Sequence, residues 1–102
     1  MGAITFFDIV IGDDADKAFN QIRDEALHEH GHGGCSGSIA EKDDYVVIDD
    51  VRRSQANALN WARELIAAND PRIDNKWGPA GALPLTTPTA QNGWLFFGWA
   101  ND

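Results

Sequence analysis

The sequence predicts a single α+β domain in which an antiparallel sheet carries two helices on one face, in the order β-α-β-β-α-β-β. Three observations predict it. Two segments repeat apolar residues at helical spacing. Several short runs are rich in β-branched and aromatic residues. The helical segments alternate with runs that read as hairpins, a pattern whose nearest standard plan is a ferredoxin-like split βαβ. A chain of 102 residues is one domain of ordinary size, and its 43% hydrophobic content with ten aromatic residues is enough for a compact core.

Residues 3–11 (AITFFDIVI) read as the first strand, closed by Gly12-Asp13-Asp14. Asp14 is placed to cap a helix whose apolar stripe is Ala15, Ala18, Phe19, Ile22 and Ala26. Gly31 is its natural stop. Residues 36–41 and 45–48 read as two strands of a hairpin, with Lys42-Asp43-Asp44 as the turn. Ser54 then caps a second helix, over about 54–68, with Leu59, Ala62, Leu65 and Ile66 as its inner stripe and Asn69-Asp70-Pro71 as its end. Two final strands lie near 82–85 and 94–99, with Asn92-Gly93 marking the turn into the last.

Sixteen acidic against eight basic residues give a net charge of −8. That opposes binding to duplex nucleic acid or to an anionic membrane, both of which need a positive field. The acids are scattered (Asp13-Asp14, Asp43-Asp44, Asp49-Asp50), so solubility explains them more simply than mimicry of a nucleic acid. No apolar run reaches membrane-spanning length. The first residues lack a basic region, and Phe6 stands where a myristoylation signal wants Ser or Thr. One cysteine, Cys35, excludes an internal disulfide and fits a reducing compartment. The expected location is a cytoplasm.

Chemistry concentrates between His28 and Lys42. All three histidines, His28, His30 and His32, fall within five residues, and Gly31, Gly33, Gly34 and Gly37 fall within seven. Glycines let a ligand approach the backbone closely, and Ser36, Ser38 and exposed amides can cradle phosphate oxygens. The segment has neither a Walker loop nor a dinucleotide fingerprint. It leaves a helix C-terminus, whose dipole repels anions.

His28 and His30 can simply satisfy the end of the helix. Metal binding would need Cys35 or a carboxylate as a further ligand, and no metal or cofactor is expected. His32, flanked by glycines, is the candidate general acid/base, with Glu41 and Lys42 placed to face the same cleft. Cys35 as a nucleophile lacks a visible base. Trp77 lies in a polar, glycine-bounded loop where it can stack a flat ring or pack the loop down. Trp61, Trp94, Phe96 and Trp99 read as core or sheet-face residues.

The run from Glu29 through Gly31-His32-Gly33-Gly34-Cys35-Ser36-Gly37-Ser38-Ile39-Ala40-Glu41-Lys42 resembles a motif of small, mostly uncharacterised bacteriophage and mobile-element proteins, Gly-His-Gly-Gly-Tyr-Ser/Thr-Gly-Thr-Ile-Ala-Glu-Lys. Asp70-Pro71-Arg72-Ile73, Lys76-Trp77-Gly78-Pro79-Ala80-Gly81 and Phe97-Gly98-Trp99-Ala100 also look like that group. Cys35 departs from its usual aromatic residue.

The resemblance implies a phage protein countering host defence in the host cytoplasm. It singles out His32, Ser36, Glu41, Lys42 and Trp77. The leading expectation is action on a nucleotide-type signal by metal-independent phosphodiester cleavage or by sequestration. In it His32, Glu41, Lys42 and Ser36 are catalytic, and Gly33, Gly34, Ser38 and Trp77 bind the ligand. The alternative is an acidic, catalytically inert inhibitor of a host defence protein. Self-association is open in either case.

Overall fold

The computed structural model describes residues 2–31 and 33–102. Strand β1 (Ala3–Ile11) leads into helix α1 (Ala15–His30), then a 3-10 turn at Ile39–Glu41, strands β2 (Tyr45–Val47) and β3 (Arg53–Ser54), helix α2 (Gln55–Ala67), and strands β4 (Ala80–Thr86) and β5 (Asn92–Asn101).

Local chemistry sets the helix ends as read from the sequence. Asp14 accepts the Lys17 amide at 3.0 Å and starts α1. Gly31, at φ 77°, returns its N–H to Leu27. Ser54 accepts the Asn57 amide at 3.2 Å and starts α2. That helix ends with Asn69 in the left-handed region (φ 53°) and the Asp70 N–H on the Leu65 carbonyl.

The sheet departs from the expected plan. It is mixed: the order is β1-β5-β4-β2, β5 is antiparallel to both neighbours, and β2 and β3 run parallel to β4 along one edge. The expected hairpin over 36–48 is absent. Residues 36–41 bend and coil into the 3-10 turn, because Gly37 takes φ 67° and the Ser38 side chain caps the turn through the Ala40 amide. The run at Tyr45 is a strand, but its partner is the distant Ala80–Ala82 stretch. Asn92-Gly93 belongs to β5, and the reversal before it uses Ala90 at φ 63°.

The two helices lie on opposite faces, not on one. Apolar side chains alternate across the sheet into two cores. Phe6, Val10, Ala82, Trp94 and Phe96 pack with Phe19 and Ala26 of α1. Leu83, Leu85, Leu95 and Phe97 pack with Ala58, Ala62 and Leu65 of α2. Crossovers between parallel strands are right-handed. The α1 connection crosses the sheet from β1 to β2, and the α2 connection returns from β3 to β4. Opposite directions with one handedness demand opposite faces. Phe96 and Phe97, both 0% exposed, fill the two sides of the centre.

Pro84 sits in a strand with neighbours on both sides, where a missing N–H would normally break a ladder. The Ile48 N–H bonds the Ala82 carbonyl, so Ala82 and Pro84 aim their backbone at the β2–β3 edge. That edge is interrupted between Ile48 and Arg52, so the N–H that Pro84 lacks falls where no strand stands opposite it.

Candidate functional site

The segment singled out by the sequence closes an end of the sheet. Strand β5 runs on to Asn101, whereas its pairing with β4 ends at Phe97. Alternation aims the Asn101 backbone away from β1, toward the side where β4 has not yet begun. Glu41 and Gly37 replace the missing strand. Glu41 Oε1 accepts the Asn101 N–H at 2.8 Å. Its Oε2 accepts the Gly37 N–H at 2.7 Å and the Ser36 hydroxyl at 3.2 Å. The Gly37 N–H is shared with the Asn101 carbonyl at 3.1 Å. A larger residue at Gly37 would be strained, since φ is 67° and an added Cβ would lie 2.9 Å from Ile4 Cγ2.

The Asn101 side chain extends the knot. Its amide donates to Cys35 Sγ at 2.9 Å, and its Oδ1 accepts from Lys76 Nζ at 2.9 Å. Lys76 Nζ also donates to the Gly2 carbonyl.

Lys42 is buried to 1% exposure. Its ammonium donates to the carbonyls of Lys76 (3.0 Å) and Gly78 (2.9 Å) and lies 5.9 Å from the centre of the Phe6 ring. Burial lowers its pKa, and the neighbouring Glu41 charge partly opposes that. These bonds tie the segment before β4 to the glycine-rich loop.

The structure therefore brings Ser36, Ser38 and Glu41 together, with the two hydroxyls 2.7 Å apart. Ser36, Glu41 and Gly34 line a cavity of about 300 Å³, and Gly33 and Gly34 line a smaller one of about 150 Å³. Lys42 points into the interior. Trp77 is elsewhere: it is 70% exposed and lines a cavity of about 610 Å³ with Trp99, Lys76, Asp74 and Asn75. Trp94 and Phe96 are core, whereas Trp99 is half-buried beside that cavity. Trp61 is half-buried with the Arg53 guanidinium 4.2 Å above its ring. His32, the candidate acid/base, lies outside the described residues.

One site has no counterpart in the sequence reading. Between the C-terminal half of α1 and β1 lies a cavity of about 750 Å³, lined by Asp8, Glu25, Glu29, His28 and His30 over Ile22, Ala26 and Ile39. Asp8 is half-buried; burial, with the Glu29 charge added, raises its carboxyl pKa above the ordinary value. The signal was present. On a face alternating Phe6, Asp8 and Val10, the middle residue is a carboxylate where the pattern asks for an apolar side chain.

Among the described residues, no group of three or more His, Cys, Asp or Glu side chains is placed to hold a metal ion. No helix there is long and apolar enough to cross a membrane. No protein-family model, curated protein or solved structure matches the chain.

Proposed function

We propose that this chain works by binding and not by turnover. It is an acidic, catalytically inert inhibitor of a host protein, acting in the cytoplasm within the phage counter-defence role that the resemblance implies. The observation that supports this most is the engagement of Glu41 and Lys42. A phosphodiesterase needs a cation and a carboxylate that can reach the phosphate. Here the ammonium sits at 1% exposure on two carbonyls, and the carboxylate holds two backbone amides. Moving Glu41 toward a ligand would orphan the buried Asn101 amide, and moving Lys42 would release the half-buried carbonyls of Lys76 and Gly78. The net charge of −8 suits a basic surface on the partner.

The test pairs two measurements. Incubation with a panel of cyclic di- and trinucleotides should give no linear product, and a stable complex with a host protein should survive His32→Ala. Turnover that His32→Ala abolishes would overturn the reading.

A second reading, sequestration of a nucleotide-type ligand, is favoured by one observation. Trp77 stands 70% exposed over a cavity shared with Trp99, and stacking a base on such a ring is worth about 1–3 kcal/mol. It requires a rise in melting temperature with a nucleotide, lost in Trp77→Ala, and recovery of intact ligand on denaturation.

A further inference from the structure

We propose that the open edge of β1 and the acidic cavity beside it receive an extended basic segment of a partner protein as an added strand, with a lysine or arginine of that segment reaching Asp8 and Glu29. The proposal rests on the inhibitor reading above and names the surface and the kind of partner.

Strand β1 is terminal in the sheet and, among the described residues, pairs only with β5. The Gly12 N–H bonds the Asn92 carbonyl at 2.9 Å, which sets the phase of that ladder. Even-numbered residues of β1 bond β5, so the N–H and C=O groups of Thr5, Phe7 and Ile9 face outward. Among the described residues these outward groups have no other backbone partner. Protected edges usually carry lysine, proline, a bulge or an inward-pointing charge. Ala3–Ile11 has only the last, Asp8, and leaves Ile4 and Ile11 45% and 49% exposed at its two ends. Such a row of unpaired groups is a template for strand addition.

The neighbouring cavity selects among strands. Asp8 projects into it, with Glu25 and Glu29 around it and an apolar floor of Ile22, Ala26 and Ile39. Among the described residues no lysine or arginine lines it, and its basic side chains are the histidines His28 and His30. Burial and Glu29 already disfavour the charged form of Asp8, and an incoming cation relieves both. An added strand turns every second side chain toward the α1 face. A long basic side chain there lays its methylenes on the floor and its charge on the carboxylates. A second copy of this chain fits poorly, since it would bring another acidic cavity and another charge of −8 to the same edge.

The probe is a nine-residue synthetic peptide alternating threonine and valine with one central lysine, with glutamine and glutamate versions as controls. Binding is followed at low ionic strength by amide NMR and hydrogen exchange. The lysine peptide should slow exchange at Thr5, Phe7 and Ile9 but leave Phe6 and Asp8, already bonded, unchanged. The glutamate version should bind at least about tenfold more weakly. The double variant Asp8→Asn/Glu29→Gln, checked for an intact melting transition, should bind the lysine and glutamine peptides alike.

Three results would overturn the proposal. One is no protection at the three outward amides. Another is equal binding of the lysine and glutamate peptides. The third is protection in the chain alone together with the mass of a dimer at that same low ionic strength. The inhibitor reading is judged separately: a host complex retained by the double variant keeps that reading and removes this edge, and no complex from any variant removes the reading.

Discussion

Replacing Glu41 by alanine tests whether the loop motif is a staple. In the parent, its two oxygens accept the Asn101 and Gly37 amides and the Ser36 hydroxyl. The losses are unequal. The Ser36 hydroxyl keeps Ser38 as a partner at 2.7 Å, and the Gly37 amide keeps the Asn101 carbonyl. The Asn101 amide keeps nothing, and this residue is 3% exposed. An orphaned buried amide costs about 1–3 kcal/mol, and the lost bond to Gly37, whose amide keeps a partner, adds about 1 kcal/mol, so a total of about 2–4 kcal/mol follows. For a domain of this size that lowers the melting temperature by roughly 10–25 °C.

Glu41→Gln is the sharper control. It keeps the shape but has one acceptor oxygen for two backbone amides, so an NH₂ must face an N–H, at a cost of about 1–2 kcal/mol. Thermal unfolding and urea titration give the totals, and hydrogen exchange at Asn101 gives the site. The ranking should be parent above glutamine above alanine, with Asn101 exchange fastest in the alanine variant. A Glu41→Ala melting point within about 3 °C of the parent would correspond to less than about 1 kcal/mol and would refute the staple.

Three further outcomes follow from the same geometry. Lys42→Met removes the bonds to Lys76 and Gly78 and should destabilise by about 1–3 kcal/mol, as read by urea unfolding. Because burial lowers the folded-state pKa of Lys42, the unfolded chain binds its proton more readily between that lowered value and 10.5. The parent should therefore gain stability relative to Lys42→Met as pH rises through that window. Gly81→Ala places a Cβ 2.6 Å from Phe97 Cζ and 3.1 Å from Ile73 Cγ2, and should cost about 1–3 kcal/mol of overpacking by the same titration. For Asp8 the sign is reversed. Its folded-state pKa is raised, so the folded chain holds that proton more tightly and stability falls as pH rises from 3.8 through the folded value. Asp8→Asn should be the more stable protein at neutral pH, with the advantage fading as the parent carboxyl protonates in acid, measured by melting across a pH series.

What the sequence made legible was local. Asp14, Gly31 and Ser54 mark helix boundaries through bonds that reach three or four residues, and those boundaries hold. The pairing of Tyr45–Val47 with Ala80–Ala82 spans the whole of α2, and no local pattern encodes it. The sidedness of the helices follows from strand order, so it was lost with the hairpin. A better signal existed: β4 and β5 are apolar at consecutive positions, as strands buried on both faces are. The loop admits two uses for a chemical reason. Small residues, hydroxyls, a carboxylate and a lysine bind a phosphate with the same donors and acceptors that terminate a sheet. Only the position of β5 relative to β4 tells the two uses apart.

That contrast sharpens at the other side of the sheet. The ragged end of β5 is sealed by Glu41 and Gly37, with a lysine buried nearby, yet β1 keeps nine edge residues without a charge or proline to deter pairing, Asp8 excepted. Against pairing of copies along that edge, a net charge of −8 supplies a long-range barrier where local protection is thin. Such a barrier depends on salt: the screening length falls from about 30 Å at 0.01 M to about 3 Å at 1 M. Sedimentation velocity should show a monomer at low ionic strength and association as salt rises, accompanied by slower exchange at Thr5, Phe7 and Ile9. Proline at Thr5 removes one outward donor without touching the ladder to β5 and should weaken that association. A monomer at every salt concentration would mean that the β1 edge deters pairing by its shape alone, and the charge would then need another explanation.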